Sequence, residues 1–131
     1  MRGLRSRRAI STIEFAILAA VLIPLTSSII ELGLLLWTQT AIQSVASLTA
    51  RCAAISSPQC TNVPAYAVTL SNNWTLSGAI NTGNVTVTAT ATCNTASGTF
   101  QTVSITVPVW SKMVLKPFLP DNITVTSCYP T

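Results

Sequence analysis

Residues 9–37 read AISTIEFAILAAVLIPLTSSIIELGLLLW. Between Ile10 and Leu36 the only charged side chains are Glu14 and Glu31. About 20 consecutive apolar residues cross the hydrocarbon core of a bilayer as a helix, so residues 10–36 are long enough to span even with tilt. Arg2, Arg5, Arg7 and Arg8 stand immediately before this run and no cation follows it closely. Cytoplasmic flanks are the basic ones, which orients the chain with residues 1–9 as a cytoplasmic leader and the C-terminal part outside. A secretory signal also has a basic head and an apolar core. Glu14 at the start of the core and the lack of an A-x-A exit near residue 30 speak against one. Trp37 falls where an indole would mark the outer interface, or it is an ordinary packing residue.

The helical pattern continues past Trp37. In WTQTAIQSVASLTARCAAI, residues 37–55, apolar positions recur at Ile42, Val45, Leu48, Cys52 and Ile55. That is a helical stripe. No proline or glycine interrupts it before Pro58. One helix from Ile10 to Ile55 would measure roughly 70 Å at 1.5 Å per residue. Its second half, residues 37–56, projects from the membrane with one apolar face. Pro24 removes one backbone hydrogen bond. The hydroxyls of Thr26, Ser27 and Ser28 are placed to satisfy the freed carbonyls. Either Pro24 is an ordinary membrane-helix proline or it is a hinge.

Composition agrees with a membrane setting and removes several function classes. The 131 residues are 49% hydrophobic and 8% charged, with mean hydropathy +0.54. Soluble domains carry about a quarter charged residues. The net charge of +4 comes from the leader, because Arg51, Lys112 and Lys116 balance Glu14, Glu31 and Asp121 in the rest. A nucleic-acid surface needs cations spread along it, which this body lacks. There is no histidine, and the three acids include no pair in the distal part. Ser111 and Lys112 are adjacent and would diverge on a helix. No Gly-rich phosphate loop occurs. The inventory supplies no catalytic set, no cofactor or small-molecule substrate site, and no metal site, since Cys-x-x-Cys is also missing. Work done by packing against partners is what remains.

Glu14 is the residue that calls for a partner. A carboxylate in a membrane span is costly and marks function. A cation meeting it at low dielectric attracts it strongly. An α-ammonium created just before Ile10 would lie four residues away in sequence, and the same group on a neighbouring subunit would drive association. Glu31 lies 17 residues further along. At 3.6 residues per turn that is about 100° around the helix, so the two acids do not share a face. Glu31 either stands solvated at the outer interface or contacts an inner-membrane partner.

Arg7-Arg8-Ala9-Ile10-Ser11-Thr12-Ile13-Glu14-Phe15 followed by an apolar helix resembles the class III leader of type IV pilins and pseudopilins. The pair Glu14-Phe15, the apolar run and Glu31-Leu32-Gly33 resemble more narrowly the TadE-like pseudopilins of the tight adherence (Tad/Flp) pilus system, over roughly residues 7–55. The resemblance implies that a prepilin peptidase cuts between Ala9 and Ile10. These leaders usually carry Gly before the cut, where this chain has Ala9. It further implies a minor pseudopilin in the bacterial inner membrane, C-terminus periplasmic, with other pilins, pseudopilins and inner-membrane assembly proteins as partners. A major filament subunit and an uncleaved single-pass binding protein are the rival readings.

From Pro58 the composition shifts to Thr, Asn, Ser and Val. Three stretches alternate with period two. NVTVTATATC sets Val85, Val87, Ala89, Ala91 and Cys93 on one face, FQTVSITVPVW sets Val103, Ile105, Val107 and Val109, and NITVTSC sets Ile123 and Val125. β-Branched alternation predicts half-buried strands. Residues 95–98, TASG, read as the hairpin connection, residues 62–72 as a short helix, and Lys112 to Phe118 as a helical turn. Three strands need a cover, and the stripe on the long helix can supply it. The expectation is an α+β, pilin-like architecture, with a membrane helix extending into a β-rich head over residues 57–131. Four cysteines outside the cytoplasm predict disulfides. Of three pairings, Cys52–Cys60 is favoured by proximity across Pro58. Cys93–Cys128 is favoured because both end strands on the same side of an up-down-up sheet.

Overall fold

A computed structural model describes residues 3–56, 58–74, 76, 78–109 and 115–131, with side chains described from Thr12 onward. The chain forms helix α1 (Gly3–Ile55), helix α2 (Val63–Asn73) and strands β1 (Val85–Cys93), β2 (Ala96–Pro108) and β3 (Asn122–Pro130). The architecture is α+β, a long apolar helix followed by a three-stranded antiparallel sheet.

Helix α1 runs for 53 residues, about 80 Å at 1.5 Å per residue. It begins seven residues before the expected start at Ile10, because arginine is a good helix former and propagates a helix without an apolar stripe. It passes through Pro24. Proline leaves the Ala20 carbonyl without its usual donor. The nearby hydroxyls do not repair that carbonyl. Thr26 donates to Leu22 O and Ile23 O, Ser27 to Ile23 O and Ser28 to Pro24 O. The helix ends at Ser56, whose φ of 51° places it in the left-handed region typical of a helix C-terminus. Pro58 follows, and the Cys52–Cys60 disulfide (Cα–Cα 5.8 Å) ties the end of α1 to the next turn.

Helix α2 starts on Asn62, whose Oδ1 accepts the Ala65 N–H at 3.2 Å, with Pro64 in the first turn where a missing N–H costs nothing. It packs against α1 through Ala67 and Ser71, both fully buried.

The sheet is a meander in the order β1-β2-β3. Val85, Ile105 and Val125 stand opposite one another across all three strands, flanked by Val87–Val103 and Val107–Ile123. This inner face rests on α1 and forms the core with Ala41, Ile42, Val45, Ala46 and Ala50. The outer face carries hydroxyls that pair across strands, Ser104 with Thr126, Thr106 with Thr124 and Thr90 with Thr102.

Several expected details change. The buried stripe of α1 is Ala41/Ile42, Val45/Ala46 and Thr49/Ala50, whereas Leu48 and Ile55 are 41% and 58% exposed. Six residues from Ile42 to Leu48 rotate about 600°, which is 120° short of two turns, so a spacing of three taken twice leaves the face. On β1 the apolar face is covered only at Val85 and Val87. Ala89 and Ala91 are exposed, because β1 continues past the part of the sheet that α1 and α2 cover. The hairpin turn is Asn94–Thr95 rather than residues 95–98. Cys93 pairs with Ala96, and Asn94 takes the left-handed φ of 53° that asparagine tolerates. One extra residue on β2 at Gly98–Thr99 makes a bulge opposite Ala91.

The second disulfide joins Cys93 to Cys128, with Cα atoms 6.3 Å apart. Cys128 stands opposite Thr102 and Thr102 opposite Thr88, so Cys93 lies five residues further along β1 as well as two strands away. The bridge therefore requires the β1–β2 tip to fold back toward β3, and a bulge is a place where a strand bends.

Candidate assembly interface

The two halves of α1 meet different surroundings. From Ala41 to Ala50 the helix is roofed by the sheet. From Thr12 to Ile30 none of its described side chains is buried. Phe15, Val21, Ile23 and Ile30 are 72, 64, 64 and 63% exposed. The helix Thr12–Ile55 is long and apolar enough to cross a membrane, and its most hydrophobic window is wholly unburied. Thr12–Ile30 spans about 28 Å at 1.5 Å per residue, close to the ~30 Å hydrocarbon thickness of a bilayer.

Glu14 and Phe15 stand near the N-terminal end of this bare stretch, and both are exposed. Glu14 has no hydrogen-bond or ion-pair partner among the described residues. Ile13, Ile17 and Leu18 beside it are exposed by 60–63%. Ala9 and Ile10, the expected processing site, lie on the helical backbone of α1, and their side chains fall outside the described residues.

Glu31 behaves differently. Its Oε2 accepts the backbone N–H of Leu115 at 3.1 Å in a partly buried setting. It ties the loop before β3 to the helix, across 84 residues of sequence, a bond that neither expected role included. No side-chain pattern signals this bond, since its donor is a main-chain amide. Just above, Leu35 and Thr38 line a small apolar crevice with Ala79, Val107, Val109 and Ile123. Among the described residues, Glu31 is the lowest level at which a hydrogen bond ties the head to α1. Trp37, 58% exposed, is not part of the core.

The loop that Glu31 holds continues into a single 3₁₀ turn, Lys116–Phe118, within the expected segment from Lys112 to Phe118. Residues 110–114 lie outside the described residues. Lys116 Nζ lies 2.8 Å from Asp121 Oδ1. The hydrogen bond from this ammonium, and then its charge, hold the Asp121 carboxyl below its ordinary pKa. The Cys52–Cys60 and Cys93–Cys128 bridges are the two pairings favoured by the sequence, and no described cysteine is free.

Residues 9–51 match the family model described as TadE-like protein. The matched segment holds Glu14-Phe15 and Glu31-Leu32-Gly33 and agrees with a TadE-like protein of the Tad pilus system. It covers the bare half of α1 and most of the roofed half, and it stops before α2 and the sheet. No curated protein and no solved structure gives a match to the chain.

Proposed function

We propose that this chain, TadE-like over residues 9–51, is a minor pseudopilin that takes part in assembling or priming a tight adherence pilus. It acts without enzymatic chemistry, through lateral packing of α1 in the bacterial inner membrane. The observation that carries this reading is the exposed apolar stretch Thr12–Ile30 with Glu14, which has no partner among the described residues, near its end.

The mechanism follows from what the fold leaves unsatisfied. Helices in lipid gain nothing from hiding apolar surface, so association comes from packing and from polar groups that find each other. A carboxylate at depth costs about 2.5–3.5 kcal/mol on insertion scales, less near a boundary where it can snorkel. Removal of residues 1–9 by a prepilin peptidase would place an ammonium on Ile10. The ammonium of one protomer then meets Glu14 of the next and sets the axial register. Phe15 and its neighbours pack along the contact. The four arginines of the leader keep residues 1–9 on the cytoplasmic side and leave the disulfide-bonded head in the periplasm. The bilayer core takes Thr12–Ile30, and the outer interface takes Glu31–Trp37.

N-terminal sequencing of the membrane protein, with and without the prepilin peptidase, tests the reading. The expected result is a chain starting at Ile10 when the peptidase is present and an intact start when it is absent. A start at Met1 or Arg2 under both conditions would favour an uncleaved membrane-anchored protein. High abundance in sheared filaments would make the chain a major subunit.

A further inference from the structure

We propose that the 3₁₀ turn Lys116–Phe118 is a second membrane contact, with the Phe118 ring seated at the headgroup–acyl boundary of the periplasmic leaflet. The inference rests on the membrane reading of α1 and adds a lipid-binding foot on the head itself. Phe118 is 85% exposed, more than any other large apolar residue among the described residues. Single exposed apolar residues are ordinary. The position of this one is what distinguishes it.

The level of Phe118 follows from two hydrogen bonds. Leu115 N–H is held by Glu31, and Phe118 N–H donates to Leu115 O at 2.9 Å. Phe118 is therefore within one tight turn of the Glu31 level. The uncovered sides of α1 are still apolar there. Leu32, Leu34, Leu36 and Trp37 are 46, 47, 61 and 58% exposed. The exposed surface becomes polar only at Gln39, Thr40 and Gln43. Lipid-facing helix and head thus overlap from Glu31 to Trp37, about 9 Å along the axis at 1.5 Å per residue. That is enough to cover the interfacial zone of one leaflet, since the two headgroup regions together add roughly 10–15 Å to the core of a bilayer, or about 5–7.5 Å on each side. Whatever the head presents in this overlap lies in the interface, and among the described residues it presents the Phe118 ring. Lys116 beside it keeps its ammonium on Asp121, so the turn is not a bare cation seeking phosphate. An exposed Phe, like Trp or Leu, on the apolar side of an interfacial element buries at the headgroup–acyl boundary.

The test uses the full chain in vesicles of phosphatidylethanolamine and phosphatidylglycerol, with bromine carried either near the headgroup end or near the middle of the acyl chains. Three variants each add one tryptophan, Phe118→Trp, Ile23→Trp and Thr95→Trp at the far hairpin tip, and the wild-type emission is subtracted. The expected result is loss of the added emission for Phe118→Trp with shallow bromine, loss for Ile23→Trp with deep bromine, and no loss for Thr95→Trp. Quenching of Ile23→Trp with none at Phe118→Trp would overturn the foot while leaving the span intact. A blue-shifted but unquenched Phe118→Trp would overturn it in favour of a neighbouring subunit. An unquenched Ile23→Trp would overturn the membrane reading and the foot together.

Discussion

Thr12–Ile30 and Ala41–Ala50 belong to one unbroken helix, and both are rich in apolar or small residues, yet their exposures are opposite. Ile42 and Val45 are 0% exposed under the sheet, while Ile23 and Ile29 are 64% and 61% exposed. The difference lies in who supplies the cover. The upper half has Val103, Ile105, Val107 and Val125 from its own chain. The lower half has no buried side chain among the described residues, and beside its alanines it carries ten large apolar side chains from Ile13 to Ile30, against Ile42, Val45 and Leu48 in the upper segment. Small residues let the sheet and α2 approach α1 closely. Large ones suit lipid and loosely specified neighbours.

The comparison can be broken by truncating one isoleucine in each half. Ile42→Ala should destabilise the head by about 2–5 kcal/mol, since it removes a fully buried side chain from a packed core. Ile23→Ala should leave head unfolding in detergent unchanged, as measured by pulse proteolysis of the full chain. An equal loss in both variants would mean that the head reaches the lower half. A smaller effect is expected at the junction. Glu31→Ala strands the partly buried Leu115 N–H, at a cost of about 1–3 kcal/mol. Hydrogen exchange at the Leu115 amide should speed up while the amides of β2 stay protected. Unchanged exchange at Leu115 would show that the head is held elsewhere.

The same contrast explains what the sequence disclosed. The helix end at Ile55, the three strands and the inward face of β2 were legible, because β-branched alternation and Pro58 are strong local signals. The roofed face of α1 was misread because its contact residues are Ala41, Ala46, Thr49 and Ala50. A search for large apolar residues instead selects Leu48 and Ile55, which point away. The turn at Asn94–Thr95 was hidden by the bulge at Gly98–Thr99, which shifts the register by one residue. At the candidate interface, Glu14 and Phe15 stood out because a carboxylate in an apolar run is a local anomaly. The partner of Glu31 was invisible, because a main-chain amide 84 residues away leaves no mark in side-chain patterns.

The decisive question is whether the bare half is completed by other subunits through Glu14. Glu14→Val should insert in the membrane, fold its head and lose its leader as the wild type does, yet support no pilus when surface filaments are counted by electron microscopy. Wild-type piliation by a processed, membrane-inserted Glu14→Val protein would contradict the role assigned to that carboxylate.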